Sequence, residues 1–303
     1  MNTSAIAGDV SFIGVGAIGL PMASRLSARG FNVTAVDPSA DRQVLARKAG
    51  MDVVPSIEEA TSFDTVVAMV ATAEQLVELL TAPGGLFDRM KPGGLCVVMS
   101  TVGPDSIEPL AVEADRRGID LLDAPVTGGV PRAEAGTLTI LTAGPAHVLE
   151  RSRMLLESMG TPQDCGDRPG QGQSFKLVNQ LLCSVHLVAA AEALAFSESL
   201  GLDPATVYRT VAAGAGSSWM LLDRGPRMLD ADGDEVCTAL DIFVKDSDLV
   251  AHAVRTSGFE APLLSAANNA FRIAAELGLG RSDDSRVKAA YGSRHLLPGA
   301  QLD

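Results

Sequence analysis

"DVSFIGVGAIGLPMASRLSARGFNVTAVD", Asp9–Asp37, is the stretch whose reading decides the fold. "DVSFIGVG" is a β-branched, apolar run and reads as a strand. "IGLPMASRLSARG" has helical apolar spacing and stops at Gly30, and "NVTAVD" is a second strand ending at Asp37. Gly14, Gly16 and Gly19 stand as G-x-G-x-x-G between strand and helix. Each has a physical task in that setting. Gly14 permits a tight turn, Gly16 lets backbone approach a pyrophosphate, and Gly19 lets the helix pack close on the strand. The helix opening at Ala17 and Ile18 adds N–H groups and a partial positive charge.

A chance glycine turn is the bland alternative for such a pattern. Here the second strand ends in an acid, Asp37, about 20 residues on, placed to accept hydrogen bonds from an adenosine ribose. The expectation is therefore a dinucleotide site made by Gly14, Gly16, Ala17, Ile18, Gly19 and Asp37. The Asp37 carboxylate favours NAD over NADP because it repels a 2′-phosphate, although Arg42 nearby softens that preference.

Working outward, "TVVAMV", "GGLCVVMS", "GIDLLDAPVTGG" and "GTLTILTAG" read as further strands separated by helical segments. Such alternation implies βαβ units and a mostly parallel sheet, covered by helices on both faces. From Gly170 the pattern changes to long helices. "QSFKLVNQLLCSVHLVAAAEALAFSESLG" is apolar on most faces, and four more helices follow, the last over "SDDSRVKAAYG". The fold class expected is an α/β Rossmann domain with a doubly wound sheet over 1–167, joined by a long helix to an all-α domain over 168–303. The loop Gly160–Gly170 is the expected boundary.

Composition narrows the function classes. Of 303 residues, 47% are hydrophobic and 20% charged, which suits a chain with large cores. A net charge of −13 argues against nucleic acid and anionic membrane surfaces, both of which need a basic face. It leaves a small anionic substrate open. The four cysteines are widely spaced and read as reduced thiols, with no metal site expected. The N-terminus lacks a signal-peptide pattern, and no unbroken apolar run reaches about 18 residues, so a cytoplasmic protein without a membrane span is expected.

Three more segments carry chemistry. Thr101 in "MSTVGPDS" follows a strand and should lie at the carboxyl edge of the sheet, where such folds bind ligands. It could equally cap the helix that follows. Thr127, Gly128 and Gly129 in "DAPVTGG" offer a hydroxyl and freed N–H groups for an anion, or simply a tight turn. Lys176 opens the long helix in "GQGQSFKLVNQLL", with Asn179 and Gln180 on the same face. A lysine partly desolvated in a cleft can exchange a proton near neutral pH, whereas most lysines are solvated surface groups.

These segments, in this order, resemble the β-hydroxyacid dehydrogenase family, and the resemblance spans nearly the whole chain. It implies that Lys176 exchanges a proton with a substrate hydroxyl while hydride moves to NAD. It further implies that Asn179 holds substrate, that Thr127, Gly128 and Gly129 grip its carboxylate, and that Thr101 and Lys245 contact the cofactor. Without the resemblance, Lys245 would pass as an ion-pairing neighbour of Asp246 and Asp248. The family usually has serine where Thr127 stands, so an extra methyl is present. It often has an asparagine loop where this chain has "MVATAEQL", and Ala71, Thr72 and Ala73 offer no amide.

"AGSSWMLLDRGPRM", "DIFVKD" and "GRSDDSRVKAAYG" look most like the L-threonate-oxidising members. The expected function is NAD-dependent oxidation of a small hydroxy acid, with L-threonate first. Oxidation of 3-hydroxyisobutyrate, reduction of tartronate semialdehyde, or a non-catalytic NAD-binding role are the alternatives. A homodimer or homotetramer is expected from the family.

Overall fold

The computed structural model describes residues 7–230, 233 and 235–292. The chain divides into two compact units, Met1–Lys176 and Leu177–Asp303. In the first, β1 (Ala7–Ile13), α1 (Gly19–Ala28), β2 (Phe31–Val36), α2 (Ala40–Lys48) and β3 (Asp52–Val54) come first. Then follow β4 (Thr65–Ala68), α3 (Ala73–Thr81), α4 (Leu86–Arg89), β5 (Leu95–Val98), α5 (Pro104–Arg116) and β6 (Asp120–Asp123). The unit continues through β7 (Val126–Thr127), α6 (Gly129–Ala135), β8 (Leu138–Ala143), α7 (Ala146–Met159) and β9 (Gly160–Gly166).

The sheet order is β3-β2-β1-β4-β5-β6-β8-β7, with β9 added on β8. Pairing is parallel from β3 through β6 and between β8 and β9, while β8 runs antiparallel to β6 and β7. The chain reverses direction across the sheet between β1 and β4, the position where open α/β sheets leave a ligand crevice at their carboxyl ends. Alternation along each strand separates two cores. Phe12, Val67 and Val97 pack on one face with Met22 and Leu26 of α1, and Ile13, Val66 and Val98 pack on the other with Leu76 of α3 and Ile107 of α5. Phe12 is fully buried, so truncating it to alanine is expected to cost about 3–5 kcal/mol.

Composition predicts a loop over Gly160–Gly170, but Gly160–Gly166 is strand β9. Gly and Pro mask it locally. A Cβ at Gly160 would collide with the Leu138 backbone, so the glycine is needed for strand pairing. Pro162, which has no N–H to donate, is accommodated because β9 pairs only with β8.

Helix α8 (Gln171–Ser199) begins in the first unit and continues into the second without a break. It is followed by α9 (Pro204–Ala212), α10 (Trp219–Leu229), α11 (Leu240–Ser257) and α12 (Pro262–Ala274). The short helix expected over Ser282–Gly292 is instead a 3₁₀ segment, Asp284–Lys288, leading into α13 (Ala289–Gly292). Asp203 and Ser218 cap α9 and α10 by accepting from the backbone N–H of Thr206 and Leu221, both at 3.0 Å. Leu187, Ala191 and Leu194 of α8 pack with Met220, Phe243, Phe271 and Val287 in one core.

Beside that core lies a buried ion network. The Arg224 guanidinium donates to the Asp284 carboxylate through Nε and, at 2.9 Å, Nη2. Arg227 Nε donates to Asp283 at 3.0 Å, and Asp283 also accepts from the backbone N–H of Cys237 and Ser285. Burial pushes the Asp284 carboxyl up to about 6 against the pull of Arg224.

By length and composition α8 could cross a membrane, since an 18-residue window has a mean hydropathy of 1.5. This differs from the sequence expectation because that rested on unbroken apolar runs, and a few interspersed polar residues barely lower a window average. In this fold Leu187, Ala191 and Leu194 of that helix are enclosed by protein, with 0%, 0% and 1% exposure.

Candidate functional site

The glycine loop adopts the conformation its sequence demands. Gly14 has φ +91°, and a Cβ there would collide with the Met69 carbonyl oxygen. Its N–H donates to Val36 O at 2.8 Å, tying the loop to β2. A Cβ at Gly19 would collide with Gly14 O, so the start of α1 packs directly on the loop. Gly16 faces open space, with nothing within 4 Å of where a Cβ would stand. Ala17 is exposed and Ile18 forms the N-cap of α1 without a side-chain hydrogen bond.

Asp37 joins this loop directly. One carboxylate oxygen accepts from Val15 N at 3.0 Å and the other from Ser39 N at 2.9 Å. The acid therefore fastens the turn as well as standing at the end of β2. Open space above Gly16, N–H groups at a helix start and an adjoining carboxylate fit the diphosphate and ribose of a dinucleotide.

The loop after β4, where an amide was missing, has a different task. The Thr72 hydroxyl accepts from Gln75 N at 3.2 Å, and the Gln75 side chain accepts from Ala71 N and Thr72 N. This capping box starts α3, so Thr72 and Gln75 are committed to the helix end.

Thr101, Thr127 and the two glycines leave the sheet at the same edge as Gly14. Thr101 lies beyond β5, half-buried. β7 runs in the direction of β6, so Thr127–Gly129 emerge at the carboxyl edge. Gly128 and Gly129 have φ +137° and +72° and lead into α6, a conformation that side chains resist.

Beneath this edge lies an arrangement the motifs did not reveal. Gln173, in the first turn of α8, is fully buried. Its Oε1 accepts from Val102 N at 2.9 Å and Gly103 N at 3.0 Å, the residues directly after Thr101. Its Nε2 donates to Ser100 O at 3.0 Å and Asp123 Oδ1 at 2.9 Å. Asp123, at the end of β6, is also fully buried, and its Oδ2 accepts from Gly170 N at 2.8 Å and Gln173 N at 3.0 Å. Burial raises the Asp123 carboxyl to about 6, while the hydrogen bonds from Gln173 and Gly170 oppose the rise. Lys176 follows one turn later on the same helix and is 7% exposed.

Asn179 and Gln180 belong to the second unit, where they form their own polar line. Asn179 Nδ2 donates to Gln180 Oε1 at 2.9 Å, Gln180 Nε2 donates to Asp246 Oδ2 at 2.6 Å, and Lys245 Nζ pairs with Asp246 Oδ1 at 2.7 Å. Asp246 is buried in α11. Asp248, considered as a second neighbour of Lys245, pairs with Arg272 at 2.6 Å. Sequence reading missed Asp123, Gln173 and the Gln180–Asp246 link. Gln173 stands among Gln171, Gly172 and Ser174, so nothing in its sequence neighbours marks it as buried.

Comparison with known proteins agrees over both units. Residues 9–170 match the NAD-binding domain of 6-phosphogluconate dehydrogenase, and residues 170–291 match the NAD-binding domain of NADP-dependent 3-hydroxyisobutyrate dehydrogenase. An L-threonate dehydrogenase of Cupriavidus necator is 37% identical over 97% of each chain. An NAD-dependent L-serine dehydrogenase of Pseudomonas aeruginosa is 30% identical over 93% of this chain and 97% of its own. Among solved structures, 3-hydroxyisobutyrate dehydrogenase from Salmonella typhimurium superposes with a TM-score of 0.86 at 31% identity, covering 93% of this chain and 99% of its own.

Proposed function

This chain belongs to the β-hydroxyacid dehydrogenase family, NAD-dependent oxidoreductases acting on a CH–OH group, and we propose that its substrate is a four-carbon sugar acid, L-threonate. The observation that carries the substrate reading is 37% identity with an L-threonate dehydrogenase along almost the full length of both chains. Bound NAD supplies the hydride acceptor, and the protein supplies position and proton handling.

In this reading the Gly128 and Gly129 N–H groups and the Thr127 hydroxyl receive the substrate carboxylate. Asn179 holds the substrate, and Thr101 and Lys245 contact the cofactor. As hydride leaves the substrate carbon, the hydroxyl proton passes to the Lys176 amine, which must be neutral to accept it. Gly14, Gly16, Ala17, Ile18 and Gly19 seat the diphosphate, and Asp37 takes the adenosine ribose and disfavours a 2′-phosphate. We further infer a cytoplasmic homodimer or homotetramer, a state light scattering of the purified protein would read.

The test is NADH production from L-threonate, 3-hydroxyisobutyrate, glycerate (the product of tartronate semialdehyde reduction), L-serine and 2-(hydroxymethyl)glutarate, with NADP in parallel. L-Threonate with NAD should give the highest kcat/KM. A higher value for 3-hydroxyisobutyrate would favour the second reading, which the overall likeness to the Salmonella enzyme supports. Lys176→Ala should lower kcat by about 10³-fold or more while NADH binding, followed by fluorescence, is retained. Unchanged kcat in that variant would defeat the proton role.

A further inference from the structure

We propose that Asp123 and Gln173 are positioning residues for Lys176, forming one buried clip that fixes the start of α8 to the loop carrying Thr101. The inference rests on the reading of Lys176 as the proton-exchanging group.

Saturation is the first argument. A carboxamide can accept two hydrogen bonds and donate two, and Gln173 uses all four. Three of the four end on the backbone of Ser100–Gly103, so the amide grips that loop by its main chain whatever its side chains are. The fourth ends on Asp123. A fully connected buried polar group holds one geometry, because any shift leaves a donor or acceptor unpaired in a dry interior.

Asp123 supplies the second argument. Its carboxylate accepts from Gly170 N and Gln173 N and so caps the first turn of α8 from the neighbouring strand. Gly172 makes this approach possible, since a Cβ there would lie 2.9 Å from Asp123 Oδ2 and 2.5 Å from Leu141 O. The start of helix α8 is therefore fixed to the end of β6. Lys176 is three residues, nearly one turn, beyond Gln173. The height and azimuth of its Cα follow from the clip.

The third argument is the choice of groups. An arginine at position 173 could have paired with Asp123, but it would place a second cation one turn from the Lys176 ammonium. The amide makes the same link without charge. Beyond Asp123, the grip on the 100–103 loop is entirely neutral.

The experiment uses the full-length protein with NAD and L-threonate, or L-serine if that is oxidised faster. Gln173→Ala, Gln173→Glu, Asp123→Asn and the Gln173→Glu/Asp123→Asn exchange are compared with wild type and Lys176→Ala. Gln173→Glu alone sets two carboxylates together, whereas the exchange restores a donor–acceptor link with the net charge kept.

Positioning predicts that Gln173→Ala and Gln173→Glu lower kcat about tenfold or more with KM changed less than about threefold. It predicts that the pH limb of kcat assigned to Lys176 moves by about half a unit or more, and that the exchange recovers much of the loss. In cofactor-free protein the amides of Val102 and Gly103 should exchange hydrogen about tenfold faster or more in Gln173→Ala. If both Gln173 variants keep kcat within about twofold while Lys176→Ala is inactive, the clip does not position the lysine and the proposal is overturned. It is equally overturned if kcat falls only in step with the folded fraction and the pH limb stays in place. If Lys176→Ala keeps its turnover, the reading of the lysine fails first, and the clip is left without the group it was proposed to place.

Discussion

Asp123 in the first unit and Asp284 in the second are both carboxylates with 0% exposure, and burial lifts both to about 6. Their partners differ. Asp123 is met by neutral donors, the Gln173 amide and two backbone N–H groups. Asp284 is met by the Arg224 guanidinium in a two-nitrogen grip. In both cases the partners only partly offset the effect of burial. The neutral solution stands one turn from Lys176, the lysine proposed to exchange a proton, where another cation would disturb its charge. The ionic solution stands among α10 and the 3₁₀ segment, where only fastening is required.

The largest expected effect comes from breaking the ionic member of this pair. Arg224→Met leaves Asp284 buried without its nearest cation, with only Arg227 3.9 Å away, and urea unfolding should show a loss of about 3–5 kcal/mol. Arg224→Met/Asp284→Asn should recover a good part of it. A single-variant loss below about 1 kcal/mol would mean that the network carries little of the fold.

A smaller effect is expected at the neutral member. Asp123→Asn replaces an acceptor of three hydrogen bonds with a group that accepts less and donates against Gln173 Nε2. A loss of about 1–3 kcal/mol in the same assay is expected, with lowered kcat at temperatures where the variant is fully folded. Full kcat together with the stability loss would make Asp123 a fastening group like Asp284 and erase the contrast.

The smallest effect is a pH slope. The folded-state Asp123 pKa, about 6, lies above its ordinary value of 3.8, so the folded chain holds this proton more tightly than the unfolded chain. The stability attached to the proton is fully present below about 4 and is lost as pH rises through about 6. Subtracting the Asp123→Asn curve from wild type should therefore give a difference that declines between about pH 4 and 6 and is flat above. A difference that increases with pH would mean that hydrogen bonding outweighs burial at this carboxylate.

What could be read in advance follows the range of the forces. The Gly14–Gly19 loop is governed by backbone sterics within a few residues, so its tight turn, its place at β1 and the parallel sheet around it were legible. The turn at Gly128 and Gly129 was legible for the same reason. The Asp123–Gln173 clip joins residues 50 apart, and Arg224 meets Asp284 at a separation of 60. Neither partner carries a local mark of the other. Stretches such as "DRGPRM" and "GRSDDSRVK" stood out by resemblance, and the ion network shows what Arg224, Arg227, Asp283 and Asp284 in them do. Strand β9 was hidden because Gly160 and Pro162 serve its pairing with β8 while looking like loop residues. The missing amide after β4 became intelligible only once Thr72 was seen capping α3.

The order of the clip along the chain has a bearing on synthesis. Ser100, Val102, Gly103 and Asp123 all precede the group that satisfies them. As the chain grows from its N-terminus, β1 to β6 can assemble while the Asp123 carboxylate still needs water and the two loop amides remain unanswered. Only when residue 173 has emerged and the first turn of α8 has wound can that edge of the sheet close dry. The edge proposed to meet cofactor and substrate would then be the last part of its unit to set, timed by the helix that delivers Lys176.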